Sequence, residues 1–89
     1  MSIKSIRNIQ FTKLLKINGR LREFNFRKLG GPDEKFSVDT VDERGTRILF
    51  FMIKKEDGWK IETLLLPELI TQNANRLHEI IEEELSQIQ

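Results

Sequence analysis

Few side chains in this 89-residue chain could do chemistry, and His78 is its only histidine. Glu82 follows four residues later, a spacing that places both side chains on one face of a helix. A histidine beside a carboxylate can bind a metal or shuttle a proton. A zinc site needs more histidine or cysteine ligands, and the chain has no cysteine. We therefore predict a solvated helix face at His78, with no metal and no cofactor.

The other reactive patterns are incomplete as well. No serine lies in the turn that activates a hydrolase nucleophile, and Gly30-Gly31 does not continue into a phosphate-binding loop. Asp39 and Glu62, which we predict on one sheet face, could form a carboxylate pair. A small sheet with a single helix offers such a pair no deep pocket. We predict no catalytic residue and no enzymatic activity.

The length and composition indicate a single domain over residues 1–89. The lack of cysteine fits a reducing compartment. No segment suits a signal peptide or is long enough to span a bilayer. We therefore expect a cytoplasmic protein without a membrane partner.

Charge is unevenly distributed along the chain. Residues 1–28 hold eight basic residues and one acidic residue (+7), and residues 29–89 hold seven basic and thirteen acidic residues (−6), which sum to the net charge of +1. This asymmetry can mark an electrostatic binding surface, or it can reflect solvated faces of one neutral domain. We hypothesise that the acidic run Glu82–Glu84 meets the basic N-terminal hairpin, within the chain or in a partner subunit.

The first predicted hairpin is centred on Asn18-Gly19. This dipeptide favours a two-residue turn, because both central residues of that turn need positive φ. The turn pairs Ile17 with Arg20 and Phe11 with Phe26. Apolar side chains of both strands then share one face, as a buried sheet face requires.

The central predicted strand, Arg47–Lys55, contains six consecutive apolar residues and sets the rest of the sheet. We predict a four-residue loop over residues 42–45, which pairs Val38 with Leu49. A three-residue loop ending at Gly58 then pairs Ile53 with Ile61. An all-apolar strand indicates that both of its faces are covered.

A helix is predicted after Pro67, which suits the first position of a helix. Apolar residues then recur with a period of 3.6, and weak helix formers near Asn73 predict a break there. The predicted fold class is α+β. It is a five-stranded antiparallel β-meander over residues 9–66, with one C-terminal α-helix over residues 67–88 packed on one face. Residues 1–8 are an undecided lead-in.

One helix cannot cover both faces, so the predicted register leaves an apolar patch exposed. Leaving side chains of this kind in water forgoes about 1.5–3 kcal/mol each. We therefore predict a small interaction module that forms a homodimer through this free sheet face. The alternatives are that the register is wrong by one residue or that residues 1–8 cover the patch. The interface candidates are Ile48, Phe50, Met52, Leu64 and Leu66.

The second hypothesis is a single-stranded nucleic-acid binding domain. Such domains combine an aromatic platform with a basic groove, and Phe50 is the aromatic residue predicted on the free face. The candidate contacts are Arg20, Arg22, Arg27, Lys54 and Lys60. Strands followed by one helix resemble Pur-type repeats and Whirly-type single-strand binders in architecture. The run Asn18-Gly19-Arg20-Leu21-Arg22 lacks the basic-aromatic arginine-glycine-arginine core of such proteins, so the resemblance implies a shared architecture alone.

Overall fold

The structure, a computed structural model, describes residues 9–88; the undecided lead-in, residues 1–8, lies outside them. Within residues 9–88, five antiparallel strands pair in chain order. Two helices follow, separated at the predicted break. The predicted fold class is confirmed. The strands are β1 (Gln10–Ile17), β2 (Arg20–Leu29), β3 (Lys35–Val41), β4 (Arg47–Lys55) and β5 (Gly58–Ile61), and the helices are α1 (Glu68–Thr71) and α2 (Ala74–Ile88).

The first hairpin has the predicted turn and register. Asn18 and Gly19 have φ values of 53° and 81°, as a two-residue turn of this type requires. Ile17 pairs with Arg20, and the pairing continues to Gln10 and Arg27. Here the dipeptide and the alternation of apolar residues specify the same register.

The β3–β4 register differs from the prediction by one residue. Val38 pairs with Phe50, and Val41 with Arg47, so the loop contains five residues rather than four. The Asp42 carboxylate accepts hydrogen bonds from the backbone N–H groups of Arg44 (2.9 Å) and Thr46 (2.8 Å). Because side chains alternate between the faces of a strand, this single residue reverses both faces of β4.

The β4–β5 register is also shifted from the prediction. Lys55 pairs with Gly58 and Lys54 with Trp59, so the loop contains two residues, Glu56 and Asp57. Because the faces of β4 are reversed and its register with β5 is shifted as well, the two changes cancel for β5, and Trp59 stays on the helix side of the sheet. Ile53 therefore pairs with Lys60 and not with Ile61.

The core lies between the sheet and the helices. Phe11 stacks on Phe26 with ring centroids 4.8 Å apart, and Phe36 meets Trp59 edge to face at 5.2 Å. A helix with the 15 residues of α2 is about 22 Å long. The width of a five-stranded sheet, which is four inter-strand spacings, is about 19 Å. A helix of this length can cross the whole sheet. It does so, because His78 contacts β5 and Glu84 contacts β1.

Candidate interaction surfaces

The sheet face opposite the helices is here called the open face. Its apolar side chains come from β1 to β4, and four of them are about half exposed or more: Leu14 (62%), Leu21 (67%), Val41 (49%) and Leu49 (50%). Phe51 and Ile53 are half-buried at neighbouring open-face positions of β4. Leu49, Phe51 and Ile53 therefore form a continuous strip, here called the β4 strip.

None of the five predicted interface candidates belongs to the β4 strip. Phe50 and Met52 are fully buried in the core, and Ile48 and Leu66 are partly buried against it. Placing Ile48, Phe50 and Met52 on the free face was wrong, because the five-residue loop turns them towards the helices. Leu64 is 83% exposed and lies after β5, outside the strands.

A row of polar side chains crosses the open face from β1 to β4. The Thr12 hydroxyl donates to Asn25 Oδ1 (2.7 Å), and Asn25 Nδ2 donates to Asp39 Oδ1 (2.9 Å). Arg47 Nη2 completes the row with a 3.1 Å ion pair to Asp39 Oδ2. The row lies between Leu14 on one side and the Phe51 position on the other.

A groove of about 480 Å³ runs along this polar row. Arg27 lines it and has no carboxylate within salt-bridge distance among residues 9–88. Within the same part of the chain, no group of three or more metal-ligating side chains is present. In the described part of the chain, the groove can therefore offer hydrogen bonds and the guanidinium of Arg27, which has no carboxylate partner there. The other polar residues that line it are Gln10, Thr12, Asn25, Ser37, Asp39 and Arg47.

The candidate nucleic-acid contacts are divided between the two sides of the sheet. Arg22 donates to the Val41 carbonyl (3.0 Å), and Lys54 forms a 3.0 Å ion pair with Glu82 of α2. Neither side chain belongs to the open face. Lys54 was predicted on that face, and this placement was wrong, whereas Arg22 follows from the first-hairpin register, in which it pairs with Leu15. Arg27 and Lys60 do lie on the open face, and Arg20 is exposed next to the hairpin turn. The aromatic residue of that face is Phe51, not Phe50.

His78 does not lie on a solvated face as predicted; it is half-buried against β5. Its Nδ1 accepts a 2.9 Å hydrogen bond from the backbone N–H of Trp59. The imidazole also packs on Gly58, where an added Cβ would lie 2.6 Å from His78 Cε1. This role is structural, and the only sequence signal for it is a glycine directly before a tryptophan.

Glu82, one helical turn after His78, lies next to Lys54. The hydrogen bond from the Lys54 ammonium is the largest effect on this carboxyl and lowers the pKa of Glu82. The indole N–H of Trp59 lies close enough to lower this pKa further, and among residues 9–88 this buried N–H has no hydrogen-bond partner.

The acidic run of α2 meets the sheet within the chain. Glu84 forms a 3.2 Å ion pair with Lys13 of β1, as hypothesised from the charge asymmetry. Glu82 pairs instead with Lys54 of β4. Part of the uneven charge is thus neutralised between helix and sheet.

None of the helices in the described residues is long and apolar enough to cross a membrane. Comparisons with protein-family models, with curated proteins and with solved structures gave no match for this chain.

Proposed function

We propose that this chain is a small, non-enzymatic interaction module that forms a homodimer through its open face. The observation that supports this most is the β4 strip, because both helices of the described residues, 9–88, pack on the opposite face. Contiguous apolar patches on monomeric soluble proteins are usually limited in area, and larger ones mark binding surfaces. Leu14, Leu21 and Val41 extend the apolar character of the face beyond the strip.

The charges of the open face are compatible with a second copy. A two-fold dimer brings the same patch together from both subunits, so the patch must tolerate itself. Two cations of the face are neutralised within it, Arg47 by Asp39 and Lys35 by Glu62 at 3.0 Å. The Lys35–Glu62 pair joins β3 to the residue that follows β5, across β4 and beside Ile53 and Phe51 of the β4 strip. A partner that covers the strip therefore meets neutralised pairs and no isolated charge at these positions.

Nucleic-acid binding has weaker support. Arg22 and Lys54 point away from the open face, while Asp39 and Glu62 lie on it. Phosphate binding requires cations that are free to contact the backbone. Nucleic acid is therefore an alternative outcome of the experiment below.

Sedimentation equilibrium over a wide concentration range, at low and high salt, tests the proposal. We expect Leu49→Glu to weaken the dimer by about tenfold or more, because it places a charge in the buried patch. Leu64→Glu is the matched control, since it changes the same residue type at an exposed site outside the strands. It should leave the dimer unchanged. The apolar contact predicts a dimer that persists at high salt.

A monomer at every concentration would refute the homodimer. Fluorescence anisotropy with a labelled single-stranded oligonucleotide then decides the alternative. Binding that weakens steeply with salt would assign the open face to nucleic acid. An unchanged dimer in Leu49→Glu would show that self-association uses another surface.

A further inference from the structure

The two edge strands of the sheet differ in length and in whether their outward backbone groups are hydrogen-bonded. β5 is one edge and is four residues long. Glu62 N–H donates to the Phe51 carbonyl at 2.8 Å, so the N–H of Trp59 points away from β4. His78 accepts that N–H, and the helix thus caps this edge. Capped, short edges do not add further strands.

β1 is the other edge, and it is eight residues long without proline or glycine. Lys28 N–H donates to the Ile9 carbonyl at 2.8 Å. Odd-numbered residues of β1 therefore bond to β2, and the backbone groups of Gln10, Thr12, Leu14 and Lys16 point outward. Among residues 9–88 none of these outward backbone groups has a hydrogen-bond partner from another element. Such an edge is a template for an added strand.

The side chains along this edge define the chemistry of that strand. β1 carries two lysines and no acidic residue. The open face carries Lys16 of β1 and Arg27 of the adjacent β2. Neither has a carboxylate within salt-bridge distance in the described part of the chain. On the helix side, Phe11 is half-buried and stacks on Phe26. Lys13 on that side is already paired with Glu84.

We propose that β1 binds an extended segment of another protein whose side chains alternate between acidic and apolar. Its acidic residues would lie on the open face near Lys16 and Arg27, and its apolar residues would continue the core beside Phe11. A second copy of β1 fits less well, because it adds lysines and no carboxylate. The added strand pairs with the backbone edge of β1, whereas the open-face dimer rests mainly on the side chains of the β4 strip, three strands away, so each proposal can fail without the other.

The experiment uses the full chain and a labelled, capped peptide of about ten residues, enough for one strand, that alternates glutamate with valine. Its controls are the same peptide with lysine for glutamate and one with alternate backbone nitrogens methylated. Leu14→Pro removes one outward N–H and leaves the β1–β2 ladder intact. Leu14→Thr keeps that N–H and controls for the lost leucine. Circular dichroism confirms that each variant folds.

Fluorescence anisotropy should show that the glutamate peptide binds, and that lysine replacement or N-methylation weakens binding by about tenfold or more. Leu14→Pro should cause a similar loss, whereas Leu14→Thr and Leu49→Glu should bind like the original chain. Absence of binding to the folded original chain would overturn the proposal. Equal binding of the N-methylated peptide, or unchanged binding by folded Leu14→Pro, would also overturn it. A variant that no longer binds the peptide but still dimerises, or one that no longer dimerises but still binds the peptide, distinguishes this proposal from the open-face dimer.

Discussion

Replacing Gly58 with alanine tests how the helix is fixed to the edge of the sheet. Gly58 has a φ of 129°, a region that side chains with a Cβ rarely adopt. The added Cβ would also lie 2.6 Å from Cε1 and 2.9 Å from Nδ1 of His78. The ring cannot move away freely, because its Nδ1 accepts the N–H of Trp59. Alanine here must therefore strain the backbone and also displace the imidazole.

The two effects can be given rough sizes. Holding a residue with a Cβ in such a conformation costs about 1–3 kcal/mol. Displacing the ring leaves the part-buried N–H of Trp59 without its acceptor, which costs about a further 1–3 kcal/mol. For a domain of this size, each kcal/mol lowers Tm by about 4–8 °C. The ring displacement alone should therefore lower Tm by about 4–24 °C.

Gly31→Ala is the matched control. Gly31 has a φ of 115°, and an added Cβ meets nothing within 4 Å. This substitution should therefore carry the backbone strain alone. We expect Gly58→Ala to be less stable than Gly31→Ala by about 1–3 kcal/mol.

Urea unfolding followed by circular dichroism measures both variants, and a cycle with His78→Ala isolates the contact. In the His78→Ala background, Gly58→Ala should cost no more than Gly31→Ala, with a coupling energy of about 1–3 kcal/mol. Equal stability losses in Gly58→Ala and Gly31→Ala, or a coupling near zero, would refute the reasoning.

Three further predictions concern the loop, the core and the helix contact. Asp42→Ala removes the acceptor of two loop N–H groups and should lower the free energy of unfolding by about 1 kcal/mol. Asp42→Asn keeps a carbonyl oxygen and should lose less stability in thermal unfolding. Equal losses of stability in the two variants would contradict this role of Asp42. Phe36→Ala empties a fully buried site and should cost about 3–5 kcal/mol in guanidinium unfolding. Half-buried Phe51→Ala should cost clearly less, and the reverse order would contradict the burial pattern. Lys54 lowers the pKa of Glu82 in the folded chain. The ionised carboxylate therefore stabilises the fold at pH values above the ordinary glutamate pKa, and this stabilisation is lost as the pH falls through the lowered pKa. The stability difference between the original chain and Glu82→Gln should therefore shrink as the pH is lowered from neutral through the lowered pKa of Glu82, and a constant difference would argue against the ion pair.

The prediction succeeded where local rules leave one solution. Asn18-Gly19 specifies the first hairpin because its turn needs two residues with positive φ. The 3.6-residue period and the weak helix formers near Asn73 located the helices and the break between them. The order of elements then led to the meander with a helix on one face.

The prediction failed at β4, and the physical reason is the uniformity of that strand. With six apolar residues in a row, both faces look equally suited to the core, so the apolar pattern cannot select a register. Loop length decides the face instead. The Asp42 carboxylate organises a five-residue loop, and that choice is made by side-chain hydrogen bonds.

The candidate surface, too, was predicted only in part from the sequence. The sequence indicated that an apolar sheet face is left uncovered by a single helix, and it indicated which strand supplies that face. Only the tertiary structure assigned the face to Leu49, Phe51 and Ile53, since a shift of one residue exchanges the two sides of a strand. The cap of His78 on β5 likewise depends on where α2 crosses the sheet. Contacts between residues far apart in the chain are set by packing, and local sequence patterns do not encode them.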